Sequence, residues 1–252
     1  MTETRIDGFL GGRLRIEQPA RGYRSGMDAV MLAAACPAKS GQSVLELGCG
    51  AGVASLCLGW RVPGATLTGL EQQEGYAALA RANAAANGLA LEVLTGDLAR
   101  PPTELRARAF DHVMMNPPYF LSGTAAPDPG RALARQEVTP LALWIEAGLR
   151  RLRPGGWLTL IQRADRLDGV IAALAGRAGG LAILPVAPRA GREAGRVILR
   201  ARKGSRAPLR LLAPLILHAA PTHAADGEDL TPEAGALLRD GMAIGNIDAK
   251  HW

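Results

Sequence analysis

A chain of 252 residues that is 48% hydrophobic, with 31 Gly and 17 Pro, has room for one large α/β domain or two small ones and excludes a disordered polypeptide. Its longest uninterrupted apolar run, residues 29–36, is far too short to span a bilayer, so no membrane association through a spanning helix is expected. Charge is uneven: residues 150–210 hold 14 Arg and Lys against 3 Asp and Glu, the footprint expected for a polyanionic partner. The alternative is a solvated basic face, since 26 of the 29 basic residues are Arg.

In chain order, Phe9 to Gln18 reads as a hairpin around Gly11-Gly12, followed by a helix from Met27 to Cys36 that stops before Pro37. A strand over Ser43 to Leu47 enters a glycine-rich turn and a helix from Val53 to Arg61. Thr66 to Leu70 is a second strand, and Glu74 to Asn87 an Ala-rich helix stopped by Asn87-Gly88. Leu91 to Leu94 and His112 to Met115 read as short buried strands, and Pro140 to Leu152 as a helix. A turn at Pro154-Gly155-Gly156 leads to a strand over Trp157 to Gln162, then a helix from Arg166 to Ala178. Strands over Leu181 to Pro185, Arg196 to Arg202 and Leu209 to His218 complete the pattern. The alternation predicts an α/β fold, a doubly wound and mostly parallel sheet with helices on both faces. Cys36, Cys49 and Cys57 fit neither a zinc spacing nor a disulfide framework, which points to a reducing, cytoplasmic setting. The charged residues among Met1 to Gly12 do not read as a secretory signal. His218 and His223 share no helix face, so no metal is expected.

The strand Ser43 to Leu47 runs straight into Gly48-Cys49-Gly50-Ala51-Gly52 and a helix, where glycines permit a tight turn and close approach of backbone to a ligand. Such a loop alone also suits a dinucleotide. Glu46 tilts the choice: a carboxylate two residues before the first glycine suits a cationic sulfonium amino acid and is unwelcome beside a pyrophosphate. Glu71, ending the second strand, is placed to accept hydrogen bonds from two ribose hydroxyls, and Asp97 in Thr95-Gly96-Asp97-Leu98 to meet an adenine amine. A solvated strand-end charge is the alternative for each.

Asn116-Pro117-Pro118-Tyr119 follows the strand ending at Met115. Two prolines extend neither a helix nor a central strand, so they fix a rigid turn at the sheet edge where open α/β sheets bind ligands. An exocyclic or amide nitrogen is a poor nucleophile because its lone pair is delocalised. Hydrogen bonds from such an amine to the Asn116 side-chain oxygen and the Pro117 carbonyl hold the nitrogen and direct the lone pair, while Tyr119 offers a stacking face worth roughly 1–3 kcal/mol per base.

The order ELGCGAG, GLE, TGD and NPPY resembles the class I methyltransferases that modify exocyclic or amide nitrogens. Gln18-Pro19 with the stretch from Gly22 to Val30 resembles, more narrowly, the bacterial tRNA(Val) adenine-N6 methyltransferase family, as do Ala134-Arg135-Gln136-Glu137 and Arg202-Lys203-Gly204-Ser205. The resemblance spans about Phe9 to Gly241. It implies a Rossmann-like methyltransferase domain over residues 41–218, an N-terminal hairpin and helix over 1–40 packing on the cofactor site, and an extension over 219–252. It implies S-adenosylmethionine as cofactor, without metal, contacted by Arg24, Gly26 and Asp28 together with Glu46, Gly48, Gly50, Gly52, Glu71, Gln72, Asp97, Leu98 and Asn116. Asn116, Pro117 and Tyr119 are its implied catalytic residues. The implied partner is RNA, specifically tRNA, held by the basic 150–210 stretch, with Arg200 and Arg202 on one strand face and Lys203 in the loop after it. Met27 departs from the Thr or Ser more usual before the Asp, and Gln136 stands where His is expected. The rival readings are a glutamine-N5 methyltransferase acting on a protein such as a release factor, a non-catalytic RNA-binding protein, and a dinucleotide oxidoreductase.

Overall fold

The computed structural model describes residues 3–118, 139–220 and 229–245. The chain begins with an antiparallel hairpin, β1 (Thr4–Phe9) and β2 (Leu14–Pro19), and continues into α1 (Met27–Ala35), an apolar helix buried from Ala29 to Ala35. Four strands and three helices then alternate up to the NPPY turn: β3 (Ser43–Leu47), α2 (Val53–Arg61), β4 (Thr66–Glu71), α3 (Glu74–Ala86), β5 (Glu92–Thr95), the single-turn α4 (Thr103–Arg106) and β6 (Phe110–Met115), with α5 (Leu141–Arg151) and β7 (Leu152–Arg163) beyond it. A 3-10 turn (Ala164–Arg166) leads to α6 (Leu167–Leu174), β8 (Ala178–Arg189), β9 (Arg196–Lys203), β10 (Arg210–Leu211), β11 (Leu215–His218) and α7 (Pro232–Leu238).

One sheet of nine strands runs in the order β10-β8-β9-β7-β6-β3-β4-β5, with β11 sharing the outer edge of β8. Every pairing in it is parallel except those of β9, which lies antiparallel between β7 and β8. The doubly wound α/β architecture read from the alternation is therefore present. Burial explains the uninterrupted apolar runs of its strands, because both faces are covered. Met114, Ile161, Leu184 and Ile198 pack under α1, α2 and α7, while Val113, Met115, Leu158, Leu160 and Leu199 pack under α5 and α6.

Three departures from the sequence reading have local causes. Helix α6 ends at Leu174 instead of reaching residue 178 because Gly176 adopts a left-handed conformation, φ +72°, and β8 starts at once. The apolar run 209–218 divides into β10 and β11, since Pro214 between them has no N–H to give the ladder. Helix α7, which the apolar periodicity did not announce, starts where Thr231 caps Ala234 N at 3.1 Å and Pro232 takes the first position.

The hairpin is fastened to α3 by two asparagines one turn apart. Asn83 accepts from Glu17 N (2.8 Å) and donates to Glu17 O (2.9 Å), and Asn87 accepts from Arg15 N (3.0 Å) and donates to Arg15 O (2.9 Å). Asn83 also donates to Ala51 O in the glycine loop at 3.0 Å and is only 2% exposed. Asn83→Ala leaves these backbone groups unpaired, and each such loss costs about 1–3 kcal/mol. The expected outcome is a lower denaturation midpoint equivalent to about 3 kcal/mol, with native-state proteolysis entering first at the hairpin; an unchanged midpoint contradicts the assignment.

Candidate active site

Strands β6, β3 and β4 are neighbours at the sheet centre and parallel, so the turns after Met115, Leu47 and Glu71 leave the same edge side by side. The glycine loop bends back over β4, with Gly48 N and Cys49 N both donating to Leu70 O at 2.7 and 3.1 Å. The Glu71 carboxylate clamps it: one oxygen accepts from Gly50 N and the other from Gln73 N, each at 2.9 Å. Gly48 is at φ +65°, and a Cβ there would lie 2.5 Å from the outer edge of the Trp144 ring, so Trp144 on α5 packs against a residue that has to be glycine. Gly52 caps α2 in the left-handed region, with Ala80 of α3 3.3 Å from where its Cβ would be.

These turns enclose a cavity of about 320 Å³, within the range of small-molecule sites. Among the residues singled out from the sequence, Gly48, Gly50, Glu71, Gln72, Leu98, Asn116 and Pro117 line it. Others are not part of its lining. Arg24 pairs with Asp7 at 2.6 Å, and Asp28 with Arg196 at 3.0 Å. Gly26 caps α1. The Asp97 carboxylate accepts from Ala99 N at 2.9 Å. Glu46 turns toward α2, where one oxygen accepts from Ser55 N at 2.9 Å and from Ser55 Oγ at 2.5 Å. Tyr119 and the stretch containing Gln136 lie outside the described residues.

Three aromatic residues that were not assigned to the site from the sequence also wall the cavity: Tyr23, Tyr76 and Trp144. The Tyr76 hydroxyl donates to Tyr23 O at 2.9 Å, and Asn116 Nδ2 donates to the Tyr23 hydroxyl at 3.4 Å. Only 4% of the chain is aromatic, and the position of Tyr23 within the Gly22 to Val30 stretch was the available signal. At the turn itself, Asn116 Oδ1 is buried and has no hydrogen-bond partner among the described residues. Gln162 at the end of β7 donates from Nε2 to Pro117 O at 3.4 Å, while its own Oε1 accepts from Arg163 N at 2.8 Å, which fixes the amide's orientation. A carbonyl oxygen has two lone pairs, so Pro117 keeps one acceptor site open. The arrangement offers a paired amide and carbonyl acceptor to a ligand with N–H groups, beside a loop of backbone amides and a carboxylate.

The basic stretch is largely occupied within the molecule. Arg150 pairs with Glu146, Arg153 with Asp111 and Arg189 with Asp229, while Arg151 donates to the carbonyls of Leu105 and Arg106. Arg200 and Arg202 do share a face, the one toward α1, but α1 covers only Arg200 and Arg202 stays exposed. Arg200 is 2% exposed, donates to Ala35 O at 3.4 Å and lies 5.4 Å from the Trp157 ring, with Arg202 5.8 Å from the same ring. Lys203 donates to Leu152 O at 2.7 Å. The expected RNA contact through Arg200 is corrected by its burial.

Strand order, the glycine loop and the proline turn together define a class I methyltransferase domain. The family model of the methyltransferase small domain matches residues 26–167. A tRNA1(Val) (adenine(37)-N6)-methyltransferase of Porphyromonas gingivalis is 38% identical over 170 residues, which cover 64% of this chain and 67% of the relative. The enzyme of the same name from Aeromonas hydrophila is 30% identical over 203 residues, covering 79% and 85% respectively. A solved structure described as a predicted O-methyltransferase, from Agrobacterium tumefaciens, matches with a TM-score of 0.69 at 32% identity, over 86% of this chain and 97% of that one. The chain belongs to the methyltransferase small domain family and, within it, to the family of the tRNA1(Val) adenine-N6 methyltransferases.

Burial pushes the Glu46 carboxyl up to about 8 against the hydrogen bonds from Ser55, and the charge of Glu71 adds to the shift. The ordinary value is 4.5, so between the two the folded protein holds a proton that the unfolded chain has released. Stability therefore falls as pH rises through that window. Glu46→Gln removes the effect. Its melting temperature is expected to gain on that of the parent protein from about pH 5 to about pH 8 and then to keep a constant lead; a gap independent of pH means the group is ionised in the fold.

Proposed function

We propose that the protein transfers a methyl group from S-adenosylmethionine to the exocyclic N6 of an adenine in RNA, with tRNA as the substrate class. The observation that carries this reading is the buried Asn116 Oδ1, without a partner among the described residues, beside the Pro117 carbonyl that accepts a single hydrogen bond among them, at the wall of the cavity. An unpaired buried acceptor costs about 1–3 kcal/mol, and an incoming N–H removes that cost. An exocyclic amine brings two N–H groups to two acceptors, whereas a hydroxyl brings one. The names of the curated relatives support the same chemistry.

The donor side of the cavity fits the proposed cofactor. Gly48 and Gly50 present backbone, Glu71 presents a carboxylate whose oxygens each accept one N–H and retain further lone pairs, and Gln72 and Leu98 wall the space between. Around it Arg24, Asp28, Glu46 and Asp97 tie down adjoining segments, and Gly26 and Gly52 cap α1 and α2. When bound, S-adenosylmethionine supplies an electrophilic methyl group on a sulfonium sulfur. Asn116 and Pro117 hold the amine nitrogen and turn its lone pair toward the cofactor side, and they stabilise the positive charge the nitrogen carries until a proton departs to solvent. Tyr119, next in sequence, is the proposed stacking face for the base. The protein contributes orientation, for which roughly 7–11 kcal/mol is available in favourable cases.

Two measurements test the reading. S-adenosylhomocysteine is expected to bind in calorimetry and NAD not to. Asn116→Ala is expected to lower methylation of unmodified tRNA, read as N6-methyladenosine in nuclease digests, by about 100-fold or more while S-adenosylhomocysteine binds within about twofold of its parent affinity. Activity retained within about tenfold removes Asn116 from the reacting centre.

A further inference from the structure

The two ends of β9 differ in a way that bears on where RNA lies, granted the function proposed above. The Arg200, Arg202 and Lys203 end is at the sheet edge opposite the NPPY turn, and Arg196 to Arg202 spans roughly 20 Å at about 3.3 Å per residue. The other end adjoins the cavity directly. Gln162 holds Pro117 O, and the next residue, Arg163, stands opposite Arg196 in the β7–β9 register. Like charges directly opposite on neighbouring strands cost stability, and here each is offset by an aspartate, Arg163 by Asp165 at 2.5 Å and Arg196 by Asp28 at 3.0 Å. The 3-10 turn after β7 is joined to the β8–β9 hairpin by Ala164 N donating to Gly195 O at 3.2 Å. That places Arg166 and Arg192 on one ledge with the facing pair. Arg192 is exposed, Arg166 half-buried, and neither side chain makes a hydrogen bond or ion pair among the described residues. Glu193 is the one exposed acid on the hairpin tip.

We propose that this ledge is the phosphate-binding rim of the active site: Arg166 and Arg192 contact backbone phosphates of the RNA strand flanking the target adenine, and Arg163 and Arg196 supply the field behind them. Arg192 and Arg166 give up no hydrogen bond or ion pair among the described residues on meeting a phosphate, Arg166 sharing only the field of Asp165, and a facing Arg pair gains from an anion between its members. The rim also lies where a base inserted at Asn116 leaves its own strand, which the far end of β9 does not.

The test compares two charge-matched double variants in the full chain. Arg166→Ala with Arg192→Ala removes the rim contacts. Arg177→Ala with Arg206→Ala removes two exposed arginines at the opposite sheet edge. The rim variant is expected to raise KM for unmodified tRNA about tenfold, to leave kcat and S-adenosylhomocysteine affinity unchanged, and to lower the slope of log affinity against log salt by about 1.5, at about 0.7–0.9 per phosphate contact. The control is expected to match the parent protein. Equal losses in both variants mean a general charge effect and overturn the rim, as does a rim variant with unaltered KM and slope, while the methyltransferase reading stands in both cases. If the parent protein methylates no tRNA but does methylate a glutamine-bearing protein, the proposed function fails and the rim fails with it.

Discussion

Both oxygens of the Glu71 carboxylate are committed to backbone N–H groups, one in the glycine loop after β3 and one in the turn opening α3. Glu71 thereby ties the glycine loop to the turn opening α3, and the cavity is the space left between them and the proline turn. Beside the clamp Gly48 donates to Leu70 O in the left-handed region, and the Trp144 ring closes the wall against it from α5. Glu46, two residues before the loop, holds the other side of the same turn through Ser55 on α2. Two buried acids with separate duties therefore shape one loop, and burial, more than their mutual repulsion, keeps the second of them protonated.

What could be read from the sequence was local. Ser43 to Leu47 and Val53 to Arg61 sit where periodicity put them, because a buried parallel strand and a helix started by glycines carry their signals within a dozen residues. Glu71, Gly48, Gly50 and Asn116 were legible for the same reason: each lies at a fixed offset from a strand end. The unread features join residues far apart. Trp144 meets Gly48 and Tyr23 meets Asn116, and neither member of these pairs announces the other. Asn87 looked like a helix stop and is one, yet its side chain also pairs the hairpin backbone.

Arginine shows the limit most clearly. Alternation along β9 correctly puts Arg200 and Arg202 on one face, but alternation does not say whether a helix covers that face. Helix α1 covers Arg200 and leaves Arg202 exposed, and both guanidiniums lie within cation–π reach of Trp157. A count of basic residues is therefore a poor measure of basic surface. The polyanion signal of residues 150–210 thins once the guanidiniums engaged with carbonyls, carboxylates and the Trp157 ring are set aside, and the exposed remainder lies at both edges of the sheet.

The asparagine pairing of β2 has a consequence for how the molecule meets its own copies. A two-stranded ribbon has two open edges, each a row of unpaired amides and carbonyls on which another chain can build. On β2 that row consists of Arg15 and Glu17, and the amides of Asn87 and Asn83 fill it as a short surrogate strand would, though side-chain amides offer nothing further to extend. One flank of the hairpin is thus closed to templated growth without the fold adding a strand. That leaves β1, with its exposed and charged Arg5 and its salt-bridged Asp7, as the only flank where fibrillar addition has a place to begin.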